Sequence, residues 1–407
     1  MTENRINKHQ KMYKLVGGII LATFSILAQY DLPLMSYGLV FIFIYCMYLV
    51  FCKGKAAYIN KSMLYFICYS LMQQLAVYLL SGTFMKNRNT YLFMFFSLFI
   101  LIFSSHIDEK IFFKFYYIMG LICSLLVIYQ FIMANLFGII QSAIQILPVT
   151  DENQHFWIKN SNRVSGLFTE PQGYCSYILP LLAYLIFSHK FKSALLISIA
   201  IFASSSSQGI ILMVIVWGYY FVIYGRNTVN KYRKCIAAGF IALLALCILI
   251  RIEQFSFIFE KIKSINIFAY DIRLTKGFQI YFAMPWVDKI KGIGFGNLTE
   301  YLKNGNFNFF WMPLTREVLF GYITTMSQVL VSFGFFGFFL YLNVFRKNRE
   351  SKRELAKLIL LLIFISSFTQ TILFNAWYLF YWIVFEVCDN KDNSRYMIVK
   401  FWICNRR

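Results

Sequence analysis

Residues 112–138 read FFKFYYIMGLICSLLVIYQFIMANLFG, twenty-seven positions carrying a single charge, Lys114, near the start. A run this long and this apolar is a bilayer-spanning helix, because crossing the roughly 30 Å hydrocarbon layer takes about 20 residues rising about 1.5 Å each. Runs of the same character, bounded by charges or by Gly, Pro and Asn, recur at about 15–30, 34–52, 62–80, 90–106, 172–188, 193–208, 209–225, 235–250, 321–345, 355–371 and 373–388. Together they make about twelve spans. The seventh and eighth form one apolar stretch interrupted by SSSSQG, Ser204–Gly209, which is long for one helix and short for two, so eleven is the alternative count. The expected fold is all-α: a single polytopic membrane domain over residues 1–407.

The composition agrees with life in lipid. Hydrophobic residues make up 59% of the 407 positions and charged residues only 14%, far from a soluble domain. The first apolar run is followed by further spans and has no small-residue cleavage site, so it is expected to stay as a span.

A net charge of +21 invites a nucleic-acid partner, but the placement of the charges argues against one. With an even number of spans and a cytoplasmic N-terminus, the inside segments hold 26 of the 39 basic residues, among them the run Arg346–Lys357. Basic residues on cytoplasmic loops set orientation, so the excess is mostly a topology signal, and both termini are expected in the cytoplasm. Of the nine cysteines, Cys46, Cys68, Cys123, Cys175 and Cys247 fall inside apolar runs, and no CxxC occurs. They read as small buried hydrophobes. His9, His106, His155 and His189 are scattered, so the sequence calls for no metal and no cofactor.

Two long external segments interrupt the helices, about 135–171 and 251–320; the latter is the large loop between the ninth and tenth spans. A segment of that length outside a compact bundle needs a function or a structure of its own. The first ends in NRVSGLFTEPQGY, Asn162–Tyr174. Thr169 with Gln172 fits a capping box and Pro171 fits a first helical turn, which puts Glu170 at a helix N-terminus where a negative charge is favoured. Gly166 permits a turn that folds Arg163 back over the helix mouth. On a plain structural account, Glu170 stabilises a helix end and Arg163 is a solvated loop charge. In the second loop, Ile272, Phe278, Phe282, Trp286 and Val287 recur near helical spacing, as in a helix lying on the membrane surface. The GIGFG that follows, Gly292–Gly296, is a turn where backbone can approach another surface; with no strand before it, it is not a nucleotide fingerprint.

Arg163, Gly166, Phe168, Glu170 and Pro171 at the mouth of a span, then Arg273 with Gly292, Gly294 and Gly296 in a large external loop, then Gly334 and Gly337 in VLVSFGFFGFFLYL, resemble the O-antigen polymerases of the Wzy type, within the wider group of O-antigen ligases and polymerases. The Ser204–Val214 stretch is similar to that family's polar break between two spans. The resemblance implies a glycosyltransferase of the bacterial inner membrane with its active site facing outward. Such an enzyme joins undecaprenyl-diphosphate-linked oligosaccharides, moving the growing chain from one lipid carrier onto the terminal sugar of another. A chain-length regulator and a flippase are the implied partners, beside the bilayer itself.

The residue types suit that chemistry. A diphosphate leaving group concentrates negative charge, and arginine offers a permanently charged planar fork that can bind it bidentately. Arg163 and Arg273 are therefore assigned to the diphosphate or to sugar positioning, with Arg316 and Arg251 as further binding residues and Gly294 at the turn. Glu170 is either the base that takes the proton from the attacking hydroxyl or the group that orients an arginine; Asp271, Glu253, Glu300 and Glu317 are alternatives for the base. The ligases of the group carry a histidine in the large loop, and residues 251–320 contain none, which favours polymerase. A flippase or other secondary transporter also fits twelve spans and interrupted helices, but the charge here gathers in one loop and one helix mouth. A non-catalytic assembly partner is the third reading. Elsewhere, Trp377, Tyr378, Tyr381 and Trp382 read as an interfacial belt, and NFNFFW, Asn306–Trp311, reads as a headgroup anchor or a sugar-stacking platform.

Overall fold

The computed structural model describes residues 2–30, 36–53, 57–81, 94, 107–139, 143–148, 163–224, 272–305, 307–309, 311–312, 322–389, 391 and 394–399. They are mostly helical, with three helices long and apolar enough to cross a membrane, Lys61–Leu80, Glu109–Leu136 and Thr325–Asn348, and several shorter apolar ones. In chain order the elements are α1 (Thr2–Leu27), α2 (Tyr37–Lys53), β1 (Ala57–Asn60), α3 (Lys61–Ser81), α4 (Glu109–Leu136), α5 (Pro171–Phe187), α6 (Phe191–Ala203), α7 (Ser207–Tyr224), α8 (Ile272–Ala283), α9 (Trp286–Lys291), α10 (Leu298–Asn304), α11 (Thr325–Asn348), α12 (Glu354–Thr369), α13 (Ala376–Cys388) and β2 (Tyr396–Val399). The stretch around Ser204 resolves into two helices, α6 and α7. Ser204 caps the first by donating its backbone N–H to the Ala200 carbonyl, and Ser205 turns the chain at φ 54°. The expected spans at 90–106 and 235–250 lie outside the described residues, apart from Met94.

The chain falls into two compact units. One comprises residues 1–17, 40–109 and 268–407; the other comprises 18–39 and 110–267. In the second unit α5 is the central helix. Twelve of its seventeen residues are buried, from Tyr174 to Ile186, and it packs against α6 and α7. Its polar groups are matched inside the apolar core: Tyr174 and Ser124 share a hydrogen bond of 2.9 Å, and the Tyr177 hydroxyl donates to the Ala22 carbonyl at 2.8 Å. Such pairing is required where no water reaches.

The first unit is built on α11, which contacts α3, α8, α9 and α12. At one end, the β1 and β2 strands pair antiparallel from Ala57–Val399 to Asn60–Tyr396. Beneath them lies a buried polar network. Asn60 Nδ2 donates to Asn348 Oδ1 at 2.6 Å, while Asp389 accepts both guanidinium nitrogens of Arg395 at 2.7 and 3.1 Å and the Tyr396 hydroxyl at 2.7 Å. Of the four aromatics of α13 expected to form a belt, Tyr378, Tyr381 and Trp382 are buried instead and Trp377 is half-buried. The helix is the inner member of its unit, so its aromatic rings fill the core, as Trp382 does against Phe345 and Phe385.

Candidate functional site

Two places carry the sequence-derived residues, one in each unit. In the second unit, the segment leading into α5 is pinned almost residue by residue. Gly166 sits at φ 65°, donates its N–H to Gln130 Oε1 at 2.8 Å and accepts the Ile144 N–H at 2.8 Å. A Cβ there would press on Val127 and on the Cys123 carbonyl, so the left-handed turn and the close approach both call for glycine. Phe168 is fully buried between the rings of Tyr174 and Tyr177. The capping box does not form: Thr169 directs its N–H and hydroxyl to Gln29 Oε1 at 3.0 and 3.2 Å. Glu170 itself occupies the N-cap in extended backbone, with Pro171 at the first helical position and no cap hydrogen bond from the carboxylate. Its carbonyl accepts the N–H groups of Gly173 and Tyr174.

The outcome is a closely held segment with a charged residue at each end. From Arg163 to Glu170, positions 164–168 are buried and Thr169 is half-buried, while the two charged residues at the ends are exposed. A negative charge at a helix N-terminus is favoured by the helix dipole, and arginine presents a planar fork of donors suited to an anionic partner.

In the first unit, α8, α9 and the glycine series form a hairpin against α11. Helix α8 buries Lys276, Gly277 and Ile280, and Met284 follows on the same side; Ile280 and Met284 join a cluster with Ile293, Leu298, Leu302, Trp311, Ile323 and Val331. The hairpin docks where α11 is broken, at Gly334, whose φ of 66° and ψ of −168° interrupt the helix. The break releases carbonyls that a continuous helix would consume, and each finds a new donor. Val331 accepts the Ile293 N–H at 3.1 Å, Ser332 accepts the Gly294 N–H at 2.9 Å, and Phe333 accepts the Tyr69 hydroxyl at 3.1 Å. Two glutamines of α3 complete the set: Gln73 donates to the Lys291 and Ser332 carbonyls at 3.0 and 3.1 Å, and Gln74 Oε1 accepts the Phe295 N–H at 2.6 Å. Irregular backbone is tolerated at membrane depth only when satisfied in this way.

The expectation that GIGFG permits close backbone approach holds, and its partner is the Gly334 break. Gly294 is buried, and a Cβ there would meet Asn297, Val77 and Gln74. Arg273 lies in the first turn of α8, and Glu300 is half-buried on α10. Arg251, Arg316, Asp271, Glu253 and Glu317 lie outside the described residues.

Within NFNFFW the tryptophan is neither at a headgroup surface nor open as a stacking platform, while Asn306 and Phe310 lie outside the described residues. Trp311 is fully buried, stacked on Phe309 with centroids 5.2 Å apart, and its indole N–H donates to Gln279 Oε1 at 3.1 Å. Over its face sits the Lys276 ammonium, 4.4 Å from the centroid, an attractive contact for a cation. Lys276 is 2% exposed. Sequence reasoning passed over this lysine and the glutamine clamps. The available signal was polar side chains inside apolar runs: Gln73 and Gln74 in LMQQLAVYLL and Gln130 in VIYQFIM. No family model matches the chain, and no curated protein matches it either.

Proposed function

We propose that this chain is a membrane glycosyltransferase that polymerises undecaprenyl-diphosphate-linked oligosaccharide repeat units into O-antigen or a related surface polysaccharide. In this reading it has about twelve spans, cytoplasmic termini and an outward-facing site in the bacterial inner membrane. The observation that carries the reading is the mounting of Arg163 and Glu170 as the two exposed ends of an otherwise buried, hydrogen-bonded segment at the start of α5. Rigid support of a charged pair is what an anionic lipid-linked donor calls for, because orientation fixed in advance lowers the barrier. Arg163 takes the diphosphate, Glu170 serves as the base or as the orienting carboxylate, and Arg273 with Arg251 and Arg316 assists in binding. Gly294 belongs to the turn that supports the second loop.

A flippase or transporter of lipid-linked oligosaccharides is the second reading, and the break in α11 at Gly334 favours it, since interrupted helices are a transporter device. A ligase using a base other than histidine is the third.

The deciding experiment is the glycan ladder of cells lacking the gene and complemented with wild type, Arg163→Ala, Glu170→Ala or Arg273→Ala, with membrane levels matched. A polymerase leaves single repeat units on the acceptor when it fails. Long polymer stranded on the carrier means a ligase, repeat units trapped inside mean a transporter, and an unchanged ladder removes the proposal.

A further inference from the structure

The segment 272–305 reads as part of an extramembrane loop, yet its tip is clasped deep within two long apolar helices. Gly292 and Gly294 dock at Val331–Gly334 of α11, and Phe295 docks at Gln74 of α3. The level of that clasp can be measured from the opposite membrane edge, which Lys61 at the start of α3 and Arg346 near the end of α11 mark together. Asn60 and Asn348 are hydrogen-bonded at 2.6 Å, so the two helix ends are level. Counting along unbroken helix, Gly334 is twelve residues from Arg346 and Gln74 is thirteen from Lys61; at about 1.5 Å per residue both lie roughly 18–20 Å from that edge. A hydrocarbon layer of about 30 Å extends some 10 Å further.

The face that the hairpin turns away from α11 is apolar. Phe282 is 71% exposed, Trp286 76% and Val287 67%, with Ile290 beside them. The flanking charged groups are engaged locally. Asp288 pairs with Lys291 at 3.2 Å and accepts the Tyr301 hydroxyl at 2.9 Å, and the Lys289 ammonium lies over the Trp286 ring at 5.2 Å.

We infer that residues 272–305 form a re-entrant hairpin in the outer half of the bilayer, with Phe282, Trp286, Val287 and Ile290 against lipid acyl chains. The occupant of this face is lipid, because the clasp depth places it inside the hydrocarbon layer and because Phe335, Phe336 and Phe339, the next residues along α11, are exposed as well. The inference goes beyond the proposed activity and holds for enzyme or transporter.

The test uses the full chain in liposomes. The emission of Trp286 is taken as the difference between wild type and Trp286→Phe. Expected is a roughly twofold quench of that component by acyl-chain-brominated phosphatidylcholine, as for an aromatic ring in the acyl region, and no response to aqueous iodide. Phe282→Trp in the Trp286→Phe background supplies a second probe on the same apolar face, expected to be quenched by the brominated lipid and not by iodide. Quenching by iodide instead of lipid overturns the inference in favour of a water-exposed loop. Protection from both quenchers overturns it in favour of a protein partner or a second copy on this face.

Discussion

Gly292 and Gly334 meet backbone to backbone: a Cβ on Gly292 would lie 2.6 Å from the Gly334 nitrogen, and one on Gly334 would lie 2.7 Å from the Gly292 nitrogen. Both have positive φ, 76° and 66°. Alanine at either position therefore meets left-handed strain and a backbone clash at once, a combined cost of about 2–5 kcal/mol. Thermal unfolding of the purified protein is expected to show each variant severely destabilised. The double variant should lose less than the sum, because once one contact has parted the other has nothing left to lose.

Gln74 offers a milder test of the same clasp. Gln74→Leu removes the acceptor of the buried Phe295 N–H and is expected to cost about 1–3 kcal/mol. Gln74→Met, of similar volume and likewise without an amide, should lose melting temperature to the same extent. A wild-type melting temperature in both variants would mean that the bond contributes nothing.

Arg163→Ala and Glu170→Ala concern exposed positions, so both variants should stay within about 0.5 kcal/mol of wild-type stability. In cells, polymer length should collapse for Arg163→Ala. Arg163→Lys should not restore it, because an ammonium cannot present the planar fork. Restoration by lysine would reduce Arg163 to a simple positive charge.

Arg395→Ala leaves the buried Asp389 without its guanidinium, and losing one partner of such a pair costs about 3–5 kcal/mol. Tyr396→Phe removes only a hydroxyl donor to the same carboxylate. It should be tolerated better in an unfolding assay.

The helices were legible because apolar length is local information. The quoted run at 112–138 corresponds to α4, and the serine break at 204–206 separates α6 from α7. The Gly166 turn was legible for the same reason, since a glycine between a charge and an apolar entry needs only its own backbone. The partners of these features were not legible. The glycine series docks on a helix break forty residues away, and Thr169 abandons its own helix for Gln29 because a side chain 140 positions earlier competes for its donors. Trp311 and Trp382 misled for a related reason: an aromatic ring suits an interface and a core equally well, and only the neighbours decide.

The pairing of β1 with β2 places a constraint on biosynthesis. Asn60 finds its partner in Tyr396, 336 positions later, so the strand Ala57–Asn60 leaves the ribosome long before anything exists to pair with it. Until Tyr396–Val399 emerges, β1 remains an unpaired edge, the kind of surface that invites wrong partners. Closure of this small sheet therefore registers that every intervening helix has been made, and a chain halted before residue 396 is left open to quality control.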